Sequence, residues 1–522
     1  MPNQTSADQS HHGPWLERQV ELQAKKCTTS CIRPLNSTLL EEANTLEMAV
    51  YLDIDHALER WDIDEFKALY RDKGHSVYQV AQYIIKRIGI YNDALRAINQ
   101  ISPVIYDEAK KMMAELSGFD NFESLWEIKP LWGIPVVVKD NIATGPDMPN
   151  TAGAFALLHA TTTRPSTVVK RLKDAGALVV GKANLSEWAN FMTLDSSNGY
   201  SALGGQSINP FGPFDVGGSS AGSCVAVAAK IVPIAVGTET AGSLIYPASQ
   251  NHVVSIKPTV GLISRDLIVP ISNSQDTPGP IANTIEDAAL LLSILSGSCP
   301  RDAKTQMIPQ VSRDYISDCQ RGPIPRKLGV VMNPQVVQDY RDGDQALLDA
   351  AISRLERLGY AVEPIYVEPM GFETRMFEVL LFEFYRDVNL YLAHPDVDSV
   401  LNLEDIVRYN AKDMANRCAF GQSLLERCVS GRPSALVYQE ALNRSVLRAS
   451  TAILGPLQSV DALVTVSNYA TVLYATAGYP AVNVPMGFRA HGEPVGITFF
   501  AGAFQEPILL EIASAFERHD NP

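Results

Sequence analysis

Apolar runs of strand length alternate with amphipathic runs of helix length through much of this chain, and that alternation restricts the fold more than any other feature. "GIPVVVKD" (133–140) reads as a buried strand, "STVVKRLKDAG" (166–176) as a helix closed by Gly176, and "ALVVGK" (177–182) as the next strand. A helix over about 220–230 leads into the strand "PIAVG" (233–237). The same order returns at "KLGVVM" (327–332), "QALLDAAISRLERLG" (345–359) and "AVEPIYV" (361–367). In that helix Leu348, Ile352, Leu355 and Leu358 form an apolar stripe, and Gly359 stands where the helix should end. Strands recur at "DALVTV" (461–466) and "VGITFFAG" (495–502), before a last helix near 506–517. The expectation is an α/β fold: one large domain on a large mixed, mostly parallel sheet, covered by helices on both faces.

Around this core, residues 1–45 read as a polar leader. Residues 46–116 read as a helical segment, with apolar residues three and four apart in "HSVYQVAQYIIKRIGIYNDALRAI". Residues 117–522 make the main domain, with 370–450 as a charged helical cap or insertion. A net charge of −15 without any basic run argues against a nucleic-acid partner, because phosphate binding needs clustered Lys and Arg. The longest apolar stretch, Cys224 to Val236, is broken by Lys230 and Pro233 and is too short to span a bilayer. The opening "MPNQTSADQSHHGPW" lacks the layout of a secretory signal. Seven cysteines, at 27, 31, 224, 299, 319, 418 and 428, make no disulfide framework for so long a chain. Cys27 and Cys31 have no second ligand pair at zinc spacing and read as surface thiols, so no metal is expected. A reducing, cytoplasmic setting fits these features.

Two small-residue turns carry the candidate chemistry. "VGTETAGSLIYPAS" (236–249) runs from a strand through a turn toward a helix that Pro247 helps to begin. Main-chain N–H groups of Thr240, Ala241, Gly242 and Ser243 would stand at this turn without ladder partners, as a site for a developing oxyanion, with Ser243 placed to attack a carbonyl. A purely structural Gly/Ser turn has the same composition. Lys139 closes the run Pro135–Val138, so its side chain emerges from the end of a buried strand, where burial favours the neutral amine. The bland alternative pairs Lys139 with Asp140 or another carboxylate. His252 is the histidine nearest to Ser243 in sequence and reads as a packing or solvated residue. Gly218–Gly222 satisfies G-x-S-x-G, which would make Ser220 the nucleophile of an α/β-hydrolase-type esterase. That elbow needs a strand directly before it, and "NPFGPFDVGG" reads as a loop.

"GIPVVVKDNI", "GGSSAGSCVAVAA" and "GTETAGS…PAS", in this order, resemble the amidase signature family of serine hydrolases. "NLSEWANF" (184–191), "KPTVGLISRDLIVPISNSQDTPGP" (257–280) and "AGYPAVNVPMGF" (477–488) extend the resemblance over most of the chain from about residue 75, closest to the peptide amidase-like branch. The resemblance implies a Ser–cis-Ser–Lys triad in a catalytic domain over 117–522, with no cofactor. Ser243 falls on the acylated nucleophile, Ser219 on the bridging serine after a cis peptide bond, and Lys139 on the base. Ser220 falls on a residue that anchors the triad by hydrogen bonds. The activity implied is hydrolysis of a small or peptide-like carboxamide through an acyl-enzyme, in a protein for which a homodimer is allowed. An acyl-transfer enzyme of specialised metabolism, passing the same acyl group to an amine, is the alternative.

The chain departs from the family pattern at several points. Many members carry an arginine two or three residues after the nucleophile, where this chain has Ile245 and Tyr246; a carboxylate-bearing substrate loses its partner there. Ala241 replaces the usual Gly or Asp, and the segment 467–480 is shorter than in peptide amidase. Trp188 to Thr193 and the 370–450 region are expected to wall the pocket, with Phe191 beside the substrate, and their apolar character suits a medium-sized uncharged amide. Trp188 and Phe191 read equally well as core.

Overall fold

Val136, Val137 and Val138 are wholly buried, which successive residues of a strand achieve only when both faces of the sheet are covered. The computed structural model describes residues 35–309, 314–367 and 373–518. Its strands, in chain order, are β1 Ile98–Ile101, β2 Pro135–Lys139, β3 Leu178–Ala183, β4 Tyr200–Ser201, β5 Gly205–Gln206, β6 Ile234–Glu239, β7 Val254–Lys257, β8 Thr277–Ala282, β9 Lys327–Val331, β10 Ala361–Ile365, β11 Ala462–Val466, β12 Ala481–Phe488 and β13 Pro494–Phe500. β4 and β5 pair only with each other. The other strands form one 11-stranded sheet in the order β1-β3-β2-β6-β8-β7-β12-β13-β11-β9-β10.

The sheet is mixed, as expected, but parallel pairing is the minority. β2 runs parallel to β3 and β6, and β9 runs parallel to β10 and β11; these are the regions where strand and helix alternate in the sequence. The remaining pairings, β1–β3, β6–β8, β8–β7, β7–β12, β12–β13 and β13–β11, are antiparallel. Connection length is the reason. β12 and β13 are joined by a tight turn in which the Arg489 N–H donates to the Glu493 carbonyl at 2.9 Å, far too short for a parallel crossover. β8, "TPGPIA", carries two prolines that cannot donate to a ladder, yet it lies in mid-sheet between β6 and β7.

Helix ends follow local chemistry. The helix Thr167–Asp174 begins where Ser166 Oγ accepts the Val169 N–H at 3.2 Å and stops just before Gly176, at φ +86°. Residues 1–34 of the leader lie outside the described residues, Cys27 and Cys31 among them. Within its last part Ser37–Ala43 is helical, with Leu39 and Ala43 buried. Between 46 and 116 the helices Met48–Ala57, Ile63–Arg71, Val77–Leu95 and Ile105–Glu115 are interrupted by β1, which pairs with β3. The 370–450 region carries the helices Glu373–Leu392, Leu403–Ala411, Met414–Arg417 and Ser423–Ser430 and most of Ala435–Leu454. It has an apolar cluster of its own, in which Leu381, Phe384 and Val388 pack with Leu403, Leu425 and the Trp188–Met192 segment. No helix among the described residues is long and apolar enough to cross a membrane.

Candidate active site

β2 and β6 are parallel neighbours, with Val138 opposite Val236, so Lys139 and Thr238 reach the same carboxyl-terminal edge of the sheet. That edge is where ligands bind in sheets of this kind. Lys139 is wholly buried, and no carboxylate among the described residues pairs with it. Asp140 is engaged elsewhere: it lies 3.4 Å from Lys182 Nζ and accepts Thr151 Oγ1 at 2.6 Å, so the paired, snorkelling reading of Lys139 fails. Around Lys139 Nζ stand Ser219 Oγ at 2.7 Å, Ser220 Oγ at 3.0 Å, the Thr238 carbonyl at 3.1 Å and Thr238 Oγ1 at 3.0 Å. Burial brings its pKa down from 10.5 to about 7, against the opposing fields of Cys224, Asp276 and Glu239.

Donor and acceptor capacity then fixes how a neutral Lys139 sits. The Thr238 carbonyl can only accept. Ser220 Oγ donates its proton to that carbonyl at 3.0 Å and accepts the Thr238 N–H at 3.2 Å, so toward the amine it too can only accept. These two oxygens take both N–H groups of a neutral amine and leave its lone pair for the Ser219 hydroxyl. Thr238 Oγ1, already accepting Asn141 Nδ2 at 3.0 Å, can take the third N–H of the ammonium.

The loop 215–220 brings the serines in. The Gly218–Ser219 peptide is cis. Gly217 has φ +68°, and a Cβ there would lie 2.6 Å from Pro247 Cα; a Cβ on Gly218 would lie 2.6 Å from Ser186 Oγ. At Gly217 the clash is with the backbone of the helix Ile245–Gln250 and leaves no room for a side chain, whereas at Gly218 the side chains of Ser186 and Asn198 would have to shift. The Ser220 N–H donates to the Ser243 carbonyl at 3.1 Å, tying the two turns together. Ser219 is wholly buried, whereas Ser243 is 8% exposed. Ser220 is also wholly buried, its proton is spent on Thr238, and no strand precedes it between 207 and 219. The elbow required for an α/β-hydrolase nucleophile at Ser220 is thus missing.

Beyond β6 the backbone turns at 240–243. Glu239 Oε2 accepts the amides of Leu244 at 2.8 Å and Ile245 at 3.1 Å. Among the described residues no acceptor takes the amides of Ala241, Gly242 or Ser243. Thr240 is held by its hydroxyl, which donates to Asp276, and by its carbonyl, which accepts Gln275 Nε2 at 3.2 Å. Sequence reasoning missed Thr238, Asp276 and Gln275. Strand alternation was the available signal for Thr238, which shares a face with Thr240 opposite to Glu239; nothing local marks the other two.

The departures from the family pattern have structural correlates. Ile245 is wholly buried in an apolar cluster with Leu473 and Tyr474. The Tyr246 hydroxyl donates to Asp215 at 2.6 Å and accepts Arg341 Nη2 at 3.1 Å, and Arg341 is also 2.6 Å from Glu493. Neither position offers a free cation. Trp188 and Phe191 both pack on Phe384 of the cap, at ring distances of 6.0 and 4.8 Å, so both belong to the apolar cluster there. His252 stacks on Phe488 at 4.5 Å, as its packing reading expects.

Glu187, beside Trp188, accepts the Ala202 N–H at 3.0 Å, and burial pushes its carboxyl up from 4.5 to about 8. The folded chain therefore takes up a proton between 4.5 and about 8 that the unfolded chain has released, and stability falls as pH rises through this window. Glu187→Gln keeps the shape without the titrating proton and is expected to flatten that decline, read as urea midpoints at about pH 5 and about pH 8.

The family model described as Amidase matches residues 79–469, well over half of the chain. A protein of Arabidopsis thaliana named as a probable amidase is 33% identical over 489 residues, covering 90% of this chain and 92% of its own. A glutamyl-tRNA(Gln) amidotransferase subunit of Thermotoga maritima is 32% identical over 431 residues, covering 74% of this chain and 84% of its own. The solved structure of native peptide amidase from Stenotrophomonas maltophilia superposes with a TM-score of 0.80 at 34% identity, covering 88% of this chain and 96% of its own. With the sheet, the cis peptide and the buried lysine already in place, likeness of this breadth means that the chain belongs to the amidase signature family of amidohydrolases.

Proposed function

We propose that this chain is a serine amidase in which Ser243 is the nucleophile, Ser219 the relay and Lys139 the base. The observation that carries the reading is the 2.7 Å contact between Ser219 Oγ and an amine held wholly buried without a counter-ion. Ser243 Oγ attacks the amide carbonyl as its proton passes to Ser219, whose own proton passes to Lys139 Nζ. The carbonyl oxygen, now an oxyanion, is met by amides of the 240–243 turn. Collapse breaks the C–N bond, and the leaving nitrogen takes the proton back along the same relay to depart as ammonia or an amine. Water then attacks the acyl-enzyme with its proton following that path, releasing the carboxylic acid and free Ser243.

Ser220 acts in this scheme as the anchor that orients Lys139. Phe191, packed on Phe384 of the cap, would shape the substrate side of the site from within the apolar cluster. The buried Ile245 and the occupied Tyr246 favour an uncharged substrate of medium size over one bearing a carboxylate. A cytoplasmic setting is part of the same proposal, consistent with the buried free thiols of Cys224, Cys299, Cys319, Cys418 and Cys428.

A fluorophosphonate probe is expected to label Ser243 in the wild type and to leave Ser243→Ala unlabelled, read by peptide mass spectrometry. Label on Ser220 instead would overturn the assignment. Ammonia release across primary amides, peptide amides, anilides and esters then defines the substrate class. Repeating the assay with added amine separates hydrolysis from acyl transfer by whether an acid or a new amide accumulates.

A further inference from the structure

Residues 271–276 touch the candidate oxyanion turn on one side and the cap on the other. Toward the turn, Asp276 accepts the Thr240 hydroxyl and the amides of Ile271 and Ser272, both at 2.8 Å, while Gln275 Nε2 donates to the Thr240 carbonyl. Toward the cap, Glu383 accepts the hydroxyls of Ser272 and Ser274 and the Ser274 amide, and Asp387 accepts the Asn273 amide at 2.9 Å. Both carboxylates lie on the helix Glu373–Leu392. The hydroxyl and carbonyl of Thr240, which precedes the unpaired amides of 241–243, are thus gripped by one short segment, and that segment is gripped by the cap.

We propose that Asp276 is a positioning residue for amide hydrolysis, acting through Thr240 to hold the 241–243 amides in register with Ser243. The inference rests on the reading of Ser243 as nucleophile and of this turn as the oxyanion site. A peptide plane next to Thr240 that swung by a few tens of degrees would aim those donors away from the developing charge, which costs rate rather than substrate affinity. The group is also placed to be felt by the base. Burial pushes the Asp276 carboxyl up to about 6, and its charge raises the pKa of Lys139. The charged neighbours facing this region are Arg265, paired with Asp302 at 2.7 Å, Lys139 on β2, Glu239 on β6, and Glu383, Asp387 and Arg386 on the cap helix. Of these, Arg265 lowers the Asp276 pKa.

Asp276→Asn is the test. The expected result is a fall in kcat of at least about tenfold with KM changed by less than about twofold. A pH profile separates this from mere loosening. In the wild type both Lys139 and Asp276 must be deprotonated, so log kcat/KM should fall with a slope approaching two below about pH 6; in Asp276→Asn the slope should be one, with the remaining limb moved to lower pH. Thr240→Val removes the same hydrogen bond without touching the charge, so it should lower kcat and bring the slope to one without moving the Lys139 limb, and Thr240→Ser should restore both the rate and the slope of two. If Asp276→Asn does not fold, the two Thr240 variants still decide the point. Wild-type kcat in Thr240→Val, or a slope of two retained in Asp276→Asn, would overturn the proposal while probe labelling of Ser243 stood. Absence of that labelling in the wild type would instead remove the reading on which it rests.

Discussion

Lys139→Met is expected to lower kcat/KM for a primary amide by about 10⁴-fold, the upper end of what a positioned general base contributes, while leaving the chain folded. Methionine fills the same slot between Ser219, Ser220 and Thr238 without a proton acceptor. In the wild type kcat/KM should climb with pH and level off above about 7, where the amine becomes neutral. Stability has a matching signature with a determined sign. The folded-state value lies below the ordinary 10.5, so between about 7 and 10.5 the unfolded chain binds a proton that the folded chain refuses. Stability is fully present above 10.5 and is lost as pH falls toward about 7; the methionine variant should lack this trend. Undiminished turnover in Lys139→Met would exclude the amine as the base, and a wild-type plateau reached only near 10.5 would exclude its being neutral at about 7.

Arg489→Met is expected to be the most destabilising single change away from the site. Arg489 and Asp344 are both wholly buried, with Nε 2.8 Å from Oδ1, and Asp344 also accepts the Arg341 amide at 2.8 Å and the Tyr469 hydroxyl at 3.0 Å. Removing the guanidinium leaves a buried carboxylate with neutral donors only, a loss of about 3–5 kcal/mol. The pair joins the β12–β13 turn to the helix Asp344–Arg357, so the damage falls on the β9–β13 end of the sheet. The double variant Asp344→Asn/Arg489→Met removes the charge stranded at 344 and leaves Glu493, which loses its 3.0 Å contact with Arg489, paired with Arg341 at 2.6 Å, so it should recover part of the loss. Urea unfolding followed by intrinsic fluorescence measures both; a double variant no more stable than the single one would contradict the stranded-charge account.

Much of the site is legible in the sequence, and for physical reasons. The run Pro135–Val138 has to be a buried strand because nothing in it tolerates water, and a lysine at its end is then delivered to the sheet edge. The crowding of Gly217, Gly218, Ser219 and Ser220 marks a loop where backbone and neighbours meet closely, and the Cβ clashes at both glycines bear that out. The mostly parallel sheet was the misreading. A hairpin such as β12–β13 and a proline-bearing strand such as β8 acquire their place from partners far along the chain, and local periodicity holds no record of those partners. Asp276 is invisible for the same reason: in "SNSQDTPGP" it is one polar residue in a turn, and its meaning comes from Thr240, brought to it by the β6–β8 pairing.

By itself, then, the order of residues determined the strands and helices of the alternating segments, though not β1 or β8, as well as which loops are tight and that a lysine and two serines with the family's spacing are present. Burial pattern and backbone sterics are local, and they are written into neighbouring positions. Tertiary structure alone decided that Lys139 is stripped of water and counter-ion, that Ser220 spends its proton on Thr238, and that Thr240 is gripped by Asp276. Each of these depends on distances between segments tens of residues apart, and the electrostatics of a buried amine follow from what surrounds it in space.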